Sequence, residues 1–585
     1  MIWVLLCVAS VASANVGSRP HTRTRLGVAI GAYTAEGVER YGAIPYALPP
    51  LGSKRFARAE VNQVPWPAEG LNATLPSPPC MQTGDPRTRL STSGPPTEDC
   101  LTLDVFRPKP SGGLREGPGL PVMVYVFGGG LCSGFAGSEY NDGSFLASKH
   151  RVVVVNVNYR LGPLGYLVGE DGTGGLNGLH DIITALRWVR QYIAAFGGAP
   201  DDVTLFGQSS GGYAICTLCV APDAKDLFHR AILQSGPCVG GPPGRGWGPM
   251  KNEVGWDITQ EVLKTNNVTN VDGLRSLSAV QLQWPDEWMN DLSKAPYFSG
   301  YFEDASLVPG STEDLWKAGH INPSEVLVNY NTKDGTAAFY GTSPTLGLVP
   351  PDPNTNTPEG YRAALQHVWG DHATSIEARY PGHVYPSFTS AFLQADAEAY
   401  VICPLRRIVK YAATSGRRVW VSEFAHFQPS VKPPEGCLGP QCPGSGCDNG
   451  VELDVVPGKH TNTTKLWATH GTEVKFVFGT QMGPDGIGPP TNVTFCNFTP
   501  AEQELSASLM AAWASFARYG DPSTEATVVW PAASITASGN LTVFRQRWAV
   551  LETDGEHSGL RTGMSDERCD FWDALYGAVH VEYLL

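Results

Sequence analysis

One short stretch restricts the fold more than any other. Asp201-Asp202-Val203-Thr204-Leu205-Phe206 runs into Gly207-Gln208-Ser209-Ser210-Gly211-Gly212, and an apolar stretch to Val220 follows. Val203 to Phe206 reads as a strand, Gly207 to Gly212 as a tight turn and the remainder as a helix. Gly207-Gln208-Ser209-Ser210-Gly211 fits G-x-S-x-G, in which small neighbours let the chain reverse so sharply that a serine hydroxyl stands clear of a sheet edge. The pattern alone is weak, since a glycine-rich turn without chemistry has the same composition. Its place between a strand and a helix is the context that the chemistry requires.

The surrounding chain supplies matching elements. Val122 to Phe127 and Arg151 to Asn158 are valine-rich runs bounded by Gly or Pro, as expected for strands covered on both faces of a largely parallel sheet. Leu179, Ile182, Ile183, Leu186, Val189 and Ile193 recur at a helical period, with Asn177 as an expected cap and Gly197-Gly198 as the stop. Ala231 to Gln234, Glu325 to Tyr330 and Arg418 to Phe424 read as short strands. Glu502 to Tyr519 reads as a helix opened by the capping box Thr499-Pro500-Ala501-Glu502. No internal repeat, heptad array or long charge run interrupts the alternation, and the Pro-rich stretches near 346–358 and 428–446 read as loops. The expected fold class is α/β: one large, mostly parallel central sheet flanked by helices, a single domain with insertions.

Composition narrows the function. With 42 Lys and Arg against 56 Asp and Glu, the formal charge is −14, which offers no field for a phosphate backbone or an anionic lipid surface. No nucleic-acid partner is expected, nor a membrane span, because no stretch beyond the first approaches ~18 uninterrupted apolar residues. Met1 to Ala14 is apolar through Ile2 to Val11 and ends in Ala12-Ser13-Ala14, which reads as a signal peptide, leaving 15–585 as the mature domain in a secreted or secretory-lumen protein. Of the 13 cysteines, loss of Cys7 with that leader leaves 12, an even number for a compartment where disulfides persist. Asn72, Asn267, Asn462, Asn492, Asn497 and Asn540 each open an Asn-x-Ser/Thr triplet and are candidate glycan acceptors.

Upstream of the serine, Gly128-Gly129-Gly130 follows a strand expected beside the one that carries it. Backbone without side chains there can turn N–H groups toward a developing oxyanion. The amides of Gly129, Gly130 and Ser210 are the expected donors.

With these residues in place, the chain resembles the type-B carboxylesterase/lipase family, the cholinesterase-like branch of the α/β-hydrolase fold, over nearly its whole mature length. Gly42-Ala43-Ile44-Pro45-Tyr46-Ala47 with Pro49-Pro50 and Arg55-Phe56 is similar to the family's opening segment, and Glu98-Asp99-Cys100-Leu101 to its first cysteine signature. Asn177-Gly178-Leu179 through Phe196-Gly197-Gly198 into Gly207 is similar to the approach to its nucleophile, and Phe516-Ala517-Arg518-Tyr519-Gly520-Asp521-Pro522 to its last helix end. The resemblance implies a serine ester hydrolase acting on a small-molecule ester, with no cofactor and no metal, and a triad in the order serine, acid, histidine. Ser209 takes the first place. Asp334, in Asn331-Thr332-Lys333-Asp334-Gly335 after a strand, resembles the acid, where relatives often have the longer Glu. His470, in His470-Gly471-Thr472-Glu473, resembles the histidine loop, with His426 and His460 as rivals without that context.

The resemblance also implies disulfides between Cys80 and Cys100 and between Cys403 and Cys569, and leaves the second bridge usual in animal relatives missing. Cys437, Cys442, Cys447 and Cys496 could pair in three ways. Cys216 and Cys219 are expected as buried thiols. Two departures bear on substrate: the Cys80–Cys100 loop has no aromatic residue, and Gln208 stands where choline-selective relatives place Glu. Uncharged esters are therefore expected. The alternatives are a binding or adhesion protein that kept the fold and lost the chemistry, and a lipase or cholinesterase of narrower specificity.

Overall fold

The computed structural model describes residues 19–82, 94–109, 119–172, 174–240, 252–282, 307–335, 357–385, 387–426, 468, 470–480, 498, 500–524, 529–548 and 559–577. The leader, His460, Cys437, Cys442, Cys447, Cys496, the triplets at Asn462 and Asn492, Asn497, and Thr499 of the expected capping box lie outside these residues.

Among the described residues, eleven strands form one sheet. In chain order they are β1 (Ala32–Tyr33), β2 (Glu39–Pro45), β3 (Thr102–Arg107), β4 (Leu120–Val126), β5 (Val153–Val157), β6 (Gly198–Gln208), β7 (Arg230–Gln234), β8 (Glu325–Asn331), β9 (Arg418–Phe424), β10 (Phe544–Trp548) and β11 (Gly559–Thr562). The spatial order is β11-β10-β9-β8-β7-β6-β4-β5-β3-β2-β1. From β10 across to β5 every neighbour is parallel, and β3, β2, β1 and β11 close the two edges antiparallel. The valine runs lie in the central strands, where every residue of β5 is buried. Coverage on both faces explains why those runs are continuous rather than alternating.

Helix α1 (Asn177–Tyr192) packs its apolar stripe inward, with Leu179, Ile182, Ile183, Leu186 and Val189 fully buried. Asn177 does not cap it. Leu176 occupies the cap position, and the Asn177 side chain donates to the Phe56 carbonyl at 3.0 Å, tying the helix start to the N-terminal segment. The chain then turns through a 3₁₀ stretch at Ile193–Phe196 and Gly197, whose φ of 90° suits glycine, into β6. Helix α2 (Ser210–Leu218) follows β6 with no loop between them except Ser209. The later helices that bear on the site are α3 (Phe388–Ala397), α4 (Cys403–Thr414), α5 (Val474–Phe478), α6 (Pro500–Tyr519) and α7 (Asp566–Gly577).

Among the described residues, three cysteine pairs bridge. Cys80–Cys100 closes a short loop, and Cys403–Cys569 joins α4 to α7. The third, Cys216–Cys238, corrects the expectation of a buried thiol at Cys216: it links α2 to the segment after β7. The sequence gives no sign of it, because the pairing depends on β6 and β7 lying side by side. Cys219 is a buried thiol, and burial pushes its pKa far above the ordinary range. No helix among the described residues is long and apolar enough to cross a membrane.

Peptide mapping without reduction should therefore recover Cys216 linked to Cys238, with Cys219 alkylated only after unfolding. Rapid alkylation of both Cys216 and Cys238 in folded protein would contradict the third bridge.

Candidate active site

Parallel strands deliver their C-terminal ends to one edge of the sheet, and the loops leaving β4, β6, β7 and β8 meet there. Ser209 sits between β6 and α2 with φ 57° and ψ −127°, a conformation that a side-chain-bearing residue rarely adopts. Its amide donates to the Gln234 carbonyl at 2.8 Å, and its carbonyl accepts from the Tyr213 amide at 2.9 Å. The flanking glycines are required by the end of β4. A Cβ on either Gly207 or Gly211 would overlap the Val126 carbonyl oxygen.

The Gly128–Gly130 loop leaves β4 beside this turn. A Cβ on Gly128 would lie 2.8 Å from Ser209 Cβ, so only glycine lets the loop come so close. Gly129 and Gly130 have φ of 124° and 64°, the region that favours glycine. The Leu131 amide donates to Ser210 Oγ at 3.2 Å and fastens the loop to the start of α2. The Gly129 carbonyl accepts from the Cys132 and Ser133 amides at 3.2 and 3.0 Å. Among the described residues, no acceptor takes the amides of Gly129, Gly130 or Ser210.

His470 and Asp334 complete the cluster. His470 Nε2 lies 2.7 Å from Ser209 Oγ, and its Nδ1 lies 2.7 Å from Asp334 Oδ1. Asp334 is fully buried, and its Oδ2 accepts from the Asn331 amide at 2.9 Å. The shorter Asp reaches because the backbones are drawn together: the Lys333 amide donates to the Ala468 carbonyl at 2.9 Å, two residues before His470. On the other side, Tyr140 Oη donates to the Gly471 carbonyl at 2.8 Å, and Thr480 Oγ1 donates back to the Tyr140 carbonyl at 2.9 Å. His426 stands apart from this chain of contacts. Its buried Nε2 lies 2.9 Å from Glu502 Oε1, joining the end of β9 to the start of α6.

The electrostatics favour a charged imidazole. Burial opposes the cation, but the Asp334 hydrogen bond and the charges of Asp334, Glu473 and Asp396 outweigh it, so the His470 pKa lies above its ordinary value of 6.5. Glu473, the last residue of His470-Gly471-Thr472-Glu473, has a place in the site that the motif itself does not reveal. It is fully buried, accepting from Asn331 Nδ2 at 2.7 Å and Gln234 Nε2 at 3.1 Å. Burial, then repulsion from Asp334, push its pKa up to about 7. Asn331 thus serves both acids, one through its amide and the other through its side chain. Their position as the last, polar residue of a strand is the sequence signal for Asn331 and Gln234. Among the described residues, no group of three or more His, Cys, Asp or Glu side chains is disposed to hold a metal.

A nucleophile-bearing turn after a parallel strand, with an acid and a histidine loop from later strands, defines the α/β-hydrolase class. The chain belongs to the carboxylesterase family, whose model matches residues 18–572. It is 29% identical to carboxylesterase 3 of Homo sapiens over 564 residues, 91% of this chain and 88% of that protein. It is 30% identical to the para-nitrobenzyl esterase of Bacillus subtilis (85% and 90% covered) and 28% identical to the cholinesterase of Mus musculus (93% and 84% covered). Among solved structures, a thermophilic para-nitrobenzyl esterase superposes with a TM-score of 0.69 at 25% identity, covering 95% of this chain and all of that one. The protein is a carboxylic ester hydrolase.

Glu473 supplies a test of this electrostatic cluster. Its folded pKa of about 7 exceeds the ordinary 4.5, so between those values the folded state binds the extra proton. The stability it contributes is present at low pH and is lost as pH rises toward 7 and beyond. Replacing it with Gln removes that loss. The Tm of Glu473→Gln relative to the native chain should therefore climb from pH 4.5 to pH 8, and a flat or falling difference in calorimetry would contradict the assignment.

Proposed function

We propose that the protein hydrolyses uncharged carboxylic esters through an acyl-enzyme formed on Ser209, with His470 as general base and Asp334 as the acid that orients it. The observation that carries this reading is the continuous chain from Ser209 Oγ through both His470 nitrogens to buried Asp334, at 2.7 Å for each contact. In the first step His470 Nε2 takes the Ser209 proton as Oγ attacks the ester carbonyl carbon. The carbonyl electrons move onto oxygen, where the amides of Gly129, Gly130 and Ser210 receive them. Each such donor is worth about 3 kcal/mol in the transition state. Asp334 holds the Nδ1 proton and stabilises the imidazolium. The intermediate collapses, the alcohol leaves with the proton from Nε2, and water repeats the sequence to release the acid.

Two features favour a neutral alcohol group. Gln208, next to the nucleophile, carries no charge, and the segment between Cys80 and Cys100 contains no aromatic face for a quaternary ammonium. The leader-like Met1–Ala14, the three bridges among the described residues and the exposed acceptor asparagines Asn72, Asn267 and Asn540 support passage of residues 15–585 through the secretory pathway.

An organophosphonate probe should label Ser209 in folded protein, and Ser209→Ala should abolish labelling while lowering kcat roughly 10⁴-fold or more. An unlabelled native protein, as a binding protein of this fold would give, overturns the reading. Because the base must be neutral and its pKa is raised, kcat/KM should rise with pH along a limb centred above 6.5. A limb centred well below that value would count against His470. Acetylcholine and its uncharged dimethylbutyl analogue should be hydrolysed with similar kcat/KM. A hundredfold preference for the cation, nearly 3 kcal/mol of discrimination, would remove the proposed substrate class.

A further inference from the structure

Behind the acid loop, α3 brings a third carboxylate toward the histidine. Asp396 is 2% exposed, and a methyl group placed on Gly335 would overlap its Oδ2, so the carboxylate lies directly against the residue that follows Asp334. Among the described residues, the charged groups that act on His470 include Asp334 from the loop after β8, Glu473 from the residue before α5, and Asp396 from α3. The nearest basic side chain of the loop is turned away. Lys333 Nζ donates to Gln394 Oε1 at 2.5 Å, beside Glu398, which Arg568 meets at 3.0 Å and Tyr380 at 2.6 Å. Gln394 of α3 thus engages Lys333 Nζ toward Glu398, while the Asp396 carboxylate of the same helix lies against Gly335, next to Asp334.

We propose that Asp396 is a positioning residue of this site, its buried carboxylate seated against Gly335 and holding positive charge on His470 as Ser209 attacks. The inference rests on Ser209 and His470 acting as nucleophile and base. A negative charge near the imidazole stabilises its cation, which is present in the transition state and absent from the neutral resting base. It therefore lowers the barrier at neutral pH, and it also moves the acid limb of the rate profile upward. Gly335 is required by the same contact, because any side chain there would displace the carboxylate.

The test is the pH profile of kcat/KM on a neutral ester, together with the pH dependence of organophosphonate labelling, for the native chain, Asp396→Asn and Ser209→Ala. Asp396→Asn should shift the acid limb of both profiles about half a unit to one unit downward, and lower the plateau kcat about three- to tenfold at unchanged KM. The variant would thus be slower at neutral pH yet retain a larger share of its activity in acid, which a packing defect does not produce. Should Asn fail to give folded protein, Asp396→Ser carries the same expectation. An unmoved limb, with only rate or Tm altered, overturns the role of Asp396 and leaves Ser209 and His470 in place. Activity and labelling that survive Ser209→Ala would remove the underlying reading instead.

Discussion

One buried hydrogen bond, from His470 Nδ1 to Asp334 Oδ1, joins residues 136 positions apart and sets what the rest of the structure must provide. A carboxylate with no exposed surface is expensive unless its oxygens are matched. Asp334 meets that condition with the imidazole on one oxygen and the Asn331 amide on the other. Both partners depend on strand ends arriving at one edge, so the parallel order from β4 to β9 is the prerequisite for the site rather than a scaffold beside it.

The serine side obeys a different constraint, that of space. Val126 ends β4 so close to the β6–α2 turn that neither Gly207 nor Gly211 admits a Cβ, and Gly128 meets the same limit against Ser209. The strained backbone at Ser209 is held by bonds to Gln234 and Tyr213 on either side of it. Gln234 also reaches Glu473, and Trp513 Nε1 donates to Gln234 Oε1 at 3.3 Å, so the turn, the histidine loop and α6 share one polar network. A network of this kind resists partial disruption, because each buried amide or carboxylate left unmatched costs about 1–3 kcal/mol.

Charge inside the site is arranged by competition between burial and proximity. Desolvation opposes ionisation of His470, Glu473 and Lys333 alike, yet the outcomes differ. His470 keeps a net preference for its cation because carboxylates surround it. Glu473 moves toward neutrality because burial, reinforced by repulsion from Asp334, disfavours its charge, and Lys333 is lowered to about 7 because burial outweighs the attraction of Glu398. Glu473 and Lys333 thus titrate at about 7, while His470 moves above its ordinary value, within one loop cluster.

The sequence alone was enough for everything that depends on local spacing. The strand, turn and helix around Ser209, the glycines before Leu131 and the apolar face of α1 follow from side-chain size and period, which act over a few residues. Family resemblance extended this to Asp334, His470 and two of the bridges. The edge strands β1 and β11, the Cys216–Cys238 bridge and the true role of Asn177 were not legible, since each depends on a partner far away in the chain. The same holds for Asn331, Glu473 and Asp396. A polar residue in a sequence shows neither its burial nor its neighbour. Only tertiary structure decides whether a carboxylate ends in water or beside an imidazole, because desolvation and Coulomb interaction depend on distance in space rather than along the chain.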